Sequence, residues 1–460
     1  MKMKTYFYII VVAAVLSSCK KLIGIPANPP NQIPADQVFA DSADIMGAIA
    51  GVYGNFKVAG GGTGLASGLV TQYAGLSADE LSYNNAGDAA SLQLLNNGLS
   101  ADNGLVGSIW TAAYQQIYLV NANLIGISPS AGISDSLKRQ LTGELKVIRA
   151  LHYFYMINFF GKVPIVTSTD YKVTASLPRA SVDSVYGLII DDLTSARSLL
   201  RAAYPSAGRA RINLYTADAL LAKVYLYRGQ WAAAANVASE AINSGLYSLV
   251  SDLNKVYLDG SSEAIWQLPA KGTTFQTSEG ANLIPGSLYS APNYSIPPTL
   301  LNAFETGDAR RTNWISSMVY SGKTYNYPFK YKNRATAAVT TEDYMMFRLG
   351  ELYLNRAEAL ANQGKADSAV ADMNLIRLRA GLTATTGLTA QADVLKAIAH
   401  ERQTELFCEW GSRWFDLKRT GTIDAVLGAE KTGWQSFDAL YPIPSGEITN
   451  NSFLTQNPGY

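Results

Sequence analysis

Residues 221–241 (LAKVYLYRGQWAAAANVASEA) and residues 357–376 (AEALANQGKADSAVADMNLI) share one spacing. Each stretch has two alanines twelve positions apart with a glycine between them, Ala222 with Ala234 and Ala357 with Ala369. Small side chains let two antiparallel helices approach closely, and the glycine permits the turn that joins them. The spacing is that of a tetratricopeptide helix pair, although a generic helical hairpin would give the same pattern.

Helical periodicity extends outward from these two stretches over most of the chain. It predicts helices at residues 38–52, 110–125, 134–160, 182–200, 216–228, 231–244, 343–364, 366–380 and 392–409. Residues 263–268 have the composition of a short strand, whereas residues 269–339 are rich in Gly, Pro, Ser and Asn and show little periodicity. We therefore predict a mainly α fold, in which a tetratricopeptide-like scaffold of helix pairs carries a loop-rich, irregular face.

The composition excludes several classes of function. The 460 residues carry a formal net charge of +1, which gives no electrostatic basis for binding nucleic acid. Two histidines and two cysteines leave little for a metal site or for thiol chemistry, so we expect no metal and no cofactor. The 27 tyrosines are suited to core packing or to stacking against a ligand.

The first 34 residues have the pattern of an export signal followed by a tether. Lys2 and Lys4 precede a short apolar run, which ends in Leu16-Ser-Ser-Cys19. This pattern predicts a signal peptide at 1–18, lipidation of Cys19, and a proline-rich tether at 19–34. A plain signal peptide with an incidental cysteine is the alternative.

Several longer strings resemble one known family. They are Trp110–Tyr114 with Asn121–Asn123, Gly143–Phe154, Phe160–Pro164, Pro178–Tyr186, Arg348–Ala359, Glu401–Arg419 and Asn457–Tyr460. In this order, and behind a lipobox, they resemble the SusD/RagB family of nutrient-binding lipoproteins of Bacteroidetes. The resemblance implies a SusD-like fold, an outer-membrane protein that faces the cell exterior, and a role as the lid of a SusC-like TonB-dependent transporter. It also implies an N-terminal part at 35–260 and a C-terminal part at 261–460, packed as one unit.

Glu401, Arg402, Glu405, Arg413 and Asp416 form the most chemically suggestive cluster in the sequence. Glu401 and Glu405 share one helix face, so they would repel unless arginines neutralise them. A catalytic carboxylate pair is one interpretation, and a structural charge network is the one we favour. No zinc-protease motif, phosphate loop or nucleophile elbow is present, so we do not expect an enzyme.

Glycan recognition requires aromatic faces together with polar groups, and such residues occur in the non-periodic regions. The predicted ligand-binding residues are Tyr83, Asn84, Asn85, Tyr289, Tyr294, Trp314 and Tyr320. They suggest capture of a glycan or a related oligomeric nutrient. Two other functions stay open, a lipid-anchored glycoside hydrolase and a scaffold that binds no ligand.

Overall fold

The structure is a computed structural model that describes residues 38–57, 64–270, 277–334 and 341–460. The predicted signal peptide, Cys19, the tether and the glycines Gly60–Gly62 lie outside the described residues. None of the helices within these ranges is both long enough and apolar enough to cross a membrane.

The N-terminal part consists almost entirely of helices. They are α1 (Ser42–Asn55), α2 (Val70–Ser77), α3 (Ala89–Asn96), α4 (Gly104–Ile127), α5 (Asp135–Phe160), α6 (Tyr171–Thr174), α7 (Val182–Leu199), α8 (Leu214–Tyr227) and α9 (Trp231–Ile242). A π-helical turn at Leu65–Leu69 precedes α2, and a two-residue strand β1 (Ser82–Tyr83) follows it. Polar N-caps begin several of the helices: the side chains of Ser134, Ser181 and Asn213 accept backbone N–H groups of the first turn.

The C-terminal part mixes short strands with helices. Its strands are β2 (Ala264–Leu268), β3 (Tyr294–Ser295), β4 (Ile315–Tyr320), β5 (Lys323–Pro328) and β6 (Tyr344–Arg348). Its helices are α10 (Ser278–Leu283), α11 (Pro298–Ala303), α12 (Ala309–Trp314), α13 (Leu349–Asn362), α14 (Ala366–Arg379), α15 (Gln391–Glu405), α16 (Ser412–Arg419), α17 (Ile423–Glu430) and α18 (Ser445–Asn450). Antiparallel pairs β1–β3, β2–β6 and β4–β5 form three two-stranded sheets.

The two stretches with paired alanines form the predicted helix pairs, α8 with α9 and α13 with α14, and α9 packs against α13. Ala222, Ala234, Ala357 and Ala369 are all buried. The glycine of each turn has a positive φ, 68° at Gly229 and 74° at Gly364, which is a conformation that favours glycine. The prediction of a mainly α scaffold built from helix pairs is therefore confirmed.

Several predicted boundaries were wrong: α4 begins at Gly104, six residues before the predicted start, α1 begins at Ser42 instead of residue 38, and two further differences change the path of the chain. Residues 344–348 form the strand β6 instead of the first turn of a helix, because they pair with β2 and are buried on both faces. The helix predicted at 392–409 ends at Glu405, since Cys408 and Trp410 have positive φ values of 52° and 50°. These left-handed residues turn the chain sharply into α16.

One hydrophobic core runs through both parts of the chain, from Ile45 to Leu454. Residues 441–457 close one end of it. The backbone N–H of Tyr441 donates to the carbonyl of Phe159 at 2.8 Å, and its hydroxyl lies 2.7 Å from that of Ser77. The side-chain amide of Asn457 donates to the carbonyls of Phe160 and Tyr441.

Candidate functional site

The predicted residues Tyr83 and Tyr294 come together although they are distant in the sequence. They are register partners in the β1–β3 pair, and their ring centroids lie 5.1 Å apart in an edge-to-face arrangement. The Tyr83 hydroxyl donates to Oδ2 of Asp88 at 2.8 Å. Because Asp88 also caps α3, the half-buried ring of Tyr83 is held in one orientation.

Asn84 fastens the same two segments together. Its backbone N–H donates to the carbonyl of Asn293 at 2.8 Å, and its side-chain amide donates to Pro292 O and to Ser295 Oγ, each at 3.0 Å. The amide of Asn84 is therefore occupied by structural hydrogen bonds. The neighbouring Asn85 is exposed, and its Oδ1 accepts the N–H of Gly87 at 3.0 Å.

Tyr289 is the most exposed aromatic residue among those predicted, with 92% of its surface accessible to solvent. It lies in the segment that joins α10 to β3, five residues before Tyr294. Five residues span at most about 18 Å, so the Cα of Tyr289 lies within that distance of the Cα of Tyr294 in β3. We use the name tyrosine face for Tyr83, Asn84, Asn85 and Tyr289, the predicted residues on these two segments that are exposed or half-buried.

The β4–β5 hairpin borders this face. The N–H of Ile296, just after β3, donates to the carbonyl of Asn326 in β5 at 2.7 Å. Ser321 and Gly322, both with positive φ, form the tight turn between the two strands. Tyr320 is half-buried beside this turn, about 10 Å along β4 from the partner of Asn326. It therefore lies toward the tip of the hairpin rather than beside Tyr83.

A polar cavity of about 320 Å³ opens next to β1. Its lining includes Asp79, Ser82, Asn96, Glu430 and Lys431. Aromatic rings beside a cavity lined with carboxylates and an amide form the combination that suits a polyhydroxylated ligand, since such a ligand offers both C–H faces and hydroxyl groups.

Trp314 does not belong to this surface, and its prediction as a ligand contact was wrong. Its side chain is fully buried, and its indole N–H donates to the carbonyl of Leu253 at 2.9 Å. The ammonium of Lys330 lies 4.6 Å from the ring centroid, which places the indole among buried cations. Tyr294 is also largely buried, with its hydroxyl donating to Gln72, so it supports Tyr83 and displays little ring surface itself.

The five charged residues of the predicted network all form ion pairs, but they belong to three separate clusters. Glu401 and Glu405 both accept from Arg310, at 2.6 and 3.1 Å. Arg402 binds Asp416 at 2.7 Å in a second cluster, which also contains Arg419 and Glu358. Arg413 binds Asp79 at 2.6 Å and so links α16 to the wall of the polar cavity.

Glu401 and Glu405 are completely buried, and each carboxylate forms ion pairs with arginine side chains. Burial alone raises the pKa of Glu405, but Arg379, Arg348 and Arg310 outweigh that effect and hold the pKa well below its ordinary value. Burial raises the pKa of Glu401, partly offset by Arg310. Within the described ranges, no group of three or more His, Cys, Asp or Glu side chains is placed to hold a metal ion.

Two family models match this chain, and together they cover most of it. The model of the SusD family matches residues 292–460. A second model, described as starch-binding and associating with the outer membrane, matches residues 38–226. The chain belongs to the SusD/RagB family. The resemblance identified from these sequence strings is therefore confirmed.

Relatives within the SusD/RagB family match over the whole chain or most of it. A SusD-like protein of Formosa agariphila is 26% identical over 98% of both chains. The starch-binding protein SusD of Bacteroides thetaiotaomicron is 24% identical over 73% of this chain and 75% of its own. Solved structures agree on the fold: a SusD superfamily protein from Bacteroides vulgatus superposes with a TM-score of 0.80 at 22% identity, over 92% of this chain and all of that one. A laminarin-binding SusD-like protein gives 0.78 at 24% identity, with the same coverage.

The sequence analysis of this SusD/RagB chain missed two residues near its surface, Asp88 and Tyr118. Asp88, which fixes Tyr83, could have been found from its position as a helix N-cap. Tyr118, exposed on α4, lies outside the apolar stripe that the periodicity assigns to the core. Its position off the core stripe of the helix is the sequence signal that predicts its exposure.

Proposed function

We propose that this chain is an outer-membrane lipoprotein that binds a glycan on the tyrosine face. Two comparisons support it: the second family model is described as starch-binding and associating with the outer membrane, and relatives are named for binding starch and laminarin. The observation that carries the proposal is the β1–β3 junction. There, segments 211 residues apart join, so that Tyr83 stands next to Ser82 of the polar cavity and the segment that carries Tyr289 leads directly into β3.

The physical role of this surface is recognition. A sugar ring stacks its C–H face on an exposed tyrosine, and its hydroxyls exchange hydrogen bonds with amide and carboxylate groups. Tyr289 is free to adapt to the ligand because it is almost fully exposed, whereas Tyr83 is fixed by Asp88 and Tyr294. One fixed and one adaptable ring would let the surface accept a chain of sugar units.

The proposal includes an anchor and a partner. Lipidation at Cys19 would attach the protein to the outer membrane on its exterior side, and a SusC-like TonB-dependent transporter would receive the glycan from beneath this protein acting as its lid. Release into the transporter would depend on opening of the lid, so binding and gating are the functional steps.

Catalysis is not part of the proposal. Glu401 and Glu405 are buried, and each is neutralised by arginines, so neither is placed to meet a substrate. Purified protein incubated with its glycan should accordingly release no reducing ends.

Isothermal titration with maltoheptaose and laminarihexaose tests the proposed site. A lost stacking contact of about 0.5–1.5 kcal/mol corresponds to a Kd raised roughly 2- to 13-fold, and we expect this for Tyr83→Ala and Tyr289→Ala. Leu378→Ala is the control, since Leu378 is 55% exposed on α14 and lies outside the tyrosine face. Tyr83→Phe, which keeps the ring, should bind better than Tyr83→Ala. Unchanged binding by both alanine variants would refute the assignment of the face.

The partner is tested separately. Affinity purification of the lipidated protein from native outer membranes should recover a TonB-dependent transporter in comparable amounts. Recovery of the protein alone, under conditions that preserve other outer-membrane complexes, would remove the lid from the proposal and leave glycan binding intact.

A further inference from the structure

A second aromatic site lies on α4, built from elements other than those of the tyrosine face. It is a groove of about 630 Å³ between α4, the segment at residues 164–175 and the region around α18. The volume falls in the usual range for small-ligand sites. None of the groove's lining residues belongs to β1, β3 or the β4–β5 hairpin.

Three aromatic rings form one wall of the groove. Trp110, Tyr114 and Tyr118 occupy positions i, i+4 and i+8 of α4, so they succeed one another at about 6 Å along the helix axis. Trp110 and Tyr114 have ring centroids 5.0 Å apart. Exposure rises along the series from 3% at Trp110 to 52% at Tyr118. Tyr118 and, in part, Tyr114 therefore offer exposed ring surface at about the spacing of successive sugar rings, and the buried Trp110 packs against Tyr114.

Polar side chains with unused hydrogen-bonding capacity surround these rings. Within the described residues, the side chains of Thr111, Gln115 and Asn450 make no hydrogen bond, although all three line the groove. Glu447 also lines the groove beside Trp110, and its carboxylate oxygens can accept hydrogen bonds from a ligand. These groups can donate to and accept from the hydroxyls of a ligand.

The charge of the lining narrows the class of ligand. Among the described residues that line the groove there is no lysine or arginine, and Glu447 is the single carboxylate. An anionic ligand would find no cation to pair with. An apolar helix or lipid chain would strip water from Gln115, Thr111 and Asn450 without replacing their hydrogen bonds, which is costly. A neutral molecule with apolar ring faces and many hydroxyls meets both requirements.

We propose that this groove, which we call the α4 groove, is a second binding site for a neutral saccharide chain. The inference rests on the proposed glycan-binding function but uses none of the residues of the tyrosine face. A long glycan could engage both surfaces of one molecule, in which case the second contact raises the overall affinity through its effective concentration.

The test removes one site at a time. Titrations with maltoheptaose and laminarihexaose compare the double variant Tyr83→Ala/Tyr289→Ala with the same chain carrying Tyr118→Ala or Gln115→Ala. We expect the double variant to keep weak, saturable binding, and Tyr118→Ala to raise the remaining Kd at least threefold. Leu378→Ala in the same background is the control and should leave the binding unchanged, since Leu378 is exposed on α14 and does not line the groove. An oligogalacturonate, which is anionic, should bind the α4 groove more weakly than the neutral probes.

The outcomes separate the two proposals. If the double variant abolishes binding and Tyr118→Ala alone leaves the wild-type Kd unchanged, the α4 groove is refuted and the tyrosine face stands. If the double variant binds like wild type and Tyr118→Ala weakens it, the tyrosine face is refuted and the α4 groove stands. Failure of the wild-type chain to bind either neutral probe overturns both. Thermal unfolding of each variant excludes misfolding as the cause, since Tyr118 and Gln115 are exposed side chains.

Discussion

Replacing Glu405 by glutamine should destabilise the fold strongly, although the two side chains have nearly the same shape. Oε1 of Glu405 accepts from Arg348 at 2.5 Å and also from Arg379, and Oε2 accepts from Arg310 at 3.1 Å. The carboxylate is completely buried. Its neutral replacement removes one negative charge from the centre of three buried guanidinium groups.

The size of the effect depends on which other carboxylates each arginine still contacts in the variant. Removing one partner of a buried ion pair costs about 3–5 kcal/mol, because a charge is left uncompensated. Here compensation is partial: Arg310 keeps Glu401 and Asp308, and Arg348 keeps Glu263 and Glu409. We therefore expect a loss of about 3 kcal/mol, near the lower bound of that range. An unfolding entropy of roughly 1 kcal/mol per kelvin for 460 residues converts this to a fall in Tm of about 3 °C.

The loss should also depend on pH. The arginines depress the pKa of Glu405 in the folded state, so its contribution to stability is present above the unfolded value of about 4.5 and disappears as the pH falls through the lower, folded pKa. The difference in Tm between wild type and Glu405→Gln should therefore be constant near neutral pH. It should shrink below about pH 4.5.

Calorimetry or urea unfolding of the lipid-free chain measures both effects. The control is Glu305→Gln, which removes a surface carboxylate that contacts Arg377 at 2.6 Å and is 42% exposed, and which should cost at most about 1 kcal/mol. Equal losses of stability in the two variants would refute the idea that burial makes Glu405 contribute more than a surface carboxylate. A stabilising effect of Glu405→Gln would show instead that the cost of burying this carboxylate exceeds the energy of its ion pairs.

Three further outcomes are expected, two from the structure and one from the sequence. Trp314→Ala should lower the free energy of unfolding by about 3–5 kcal/mol, whereas Tyr289→Ala should change it by at most about 0.5 kcal/mol in urea titrations; a small loss for Trp314→Ala would contradict its place in the core. Burial, with Asp79 nearby, raises the pKa of Glu80 to about 8, so its stabilising contribution is complete below about pH 4.5 and is lost as the pH rises through 8. Glu80→Gln can still accept the N–H of Cys408 and should flatten the decline of Tm between pH 5 and 8, and an identical decline in both proteins would disprove this. Cys19→Ala should abolish incorporation of an alkyne-tagged fatty acid in cells, and retained labelling would show that the lipid is attached elsewhere.

The helical scaffold could be predicted because its signals are local. The spacing of Ala222 and Ala234 around a glycine specifies a close helix pair within a single stretch of chain. The strand at 344–348 could not be predicted in the same way. Its sequence, Tyr-Met-Met-Phe-Arg, is buried on both faces and so has neither strand nor helix period, and its partner β2 lies about 80 residues earlier.

In the candidate site, too, local sequence signals succeed where long-range contacts do not decide the outcome, and fail where they do. Tyr83 stands in a short polar stretch where an aromatic residue has few local reasons to be buried, and the structure leaves it half-buried at the surface. Trp314 stands in an equally non-periodic region. Its burial depends on Leu253, Lys330 and other groups that are remote in sequence, so no pattern around residue 314 could reveal it.

The closure of the core by residues 441–457 has a consequence for how the chain is made. Asn457 forms a hydrogen bond with Phe160, which lies 297 residues earlier. Tyr441 forms one with Ser77, which lies 364 residues earlier. A chain exported from its N-terminal end delivers the α2, α4 and α5 helices long before the segment that completes their packing. Until residues 441–457 arrive, those helices keep apolar surface exposed, and chains with exposed apolar surface are prone to aggregation. Periplasmic holding chaperones are therefore expected to matter more for the yield of this protein than for one whose contacts are local.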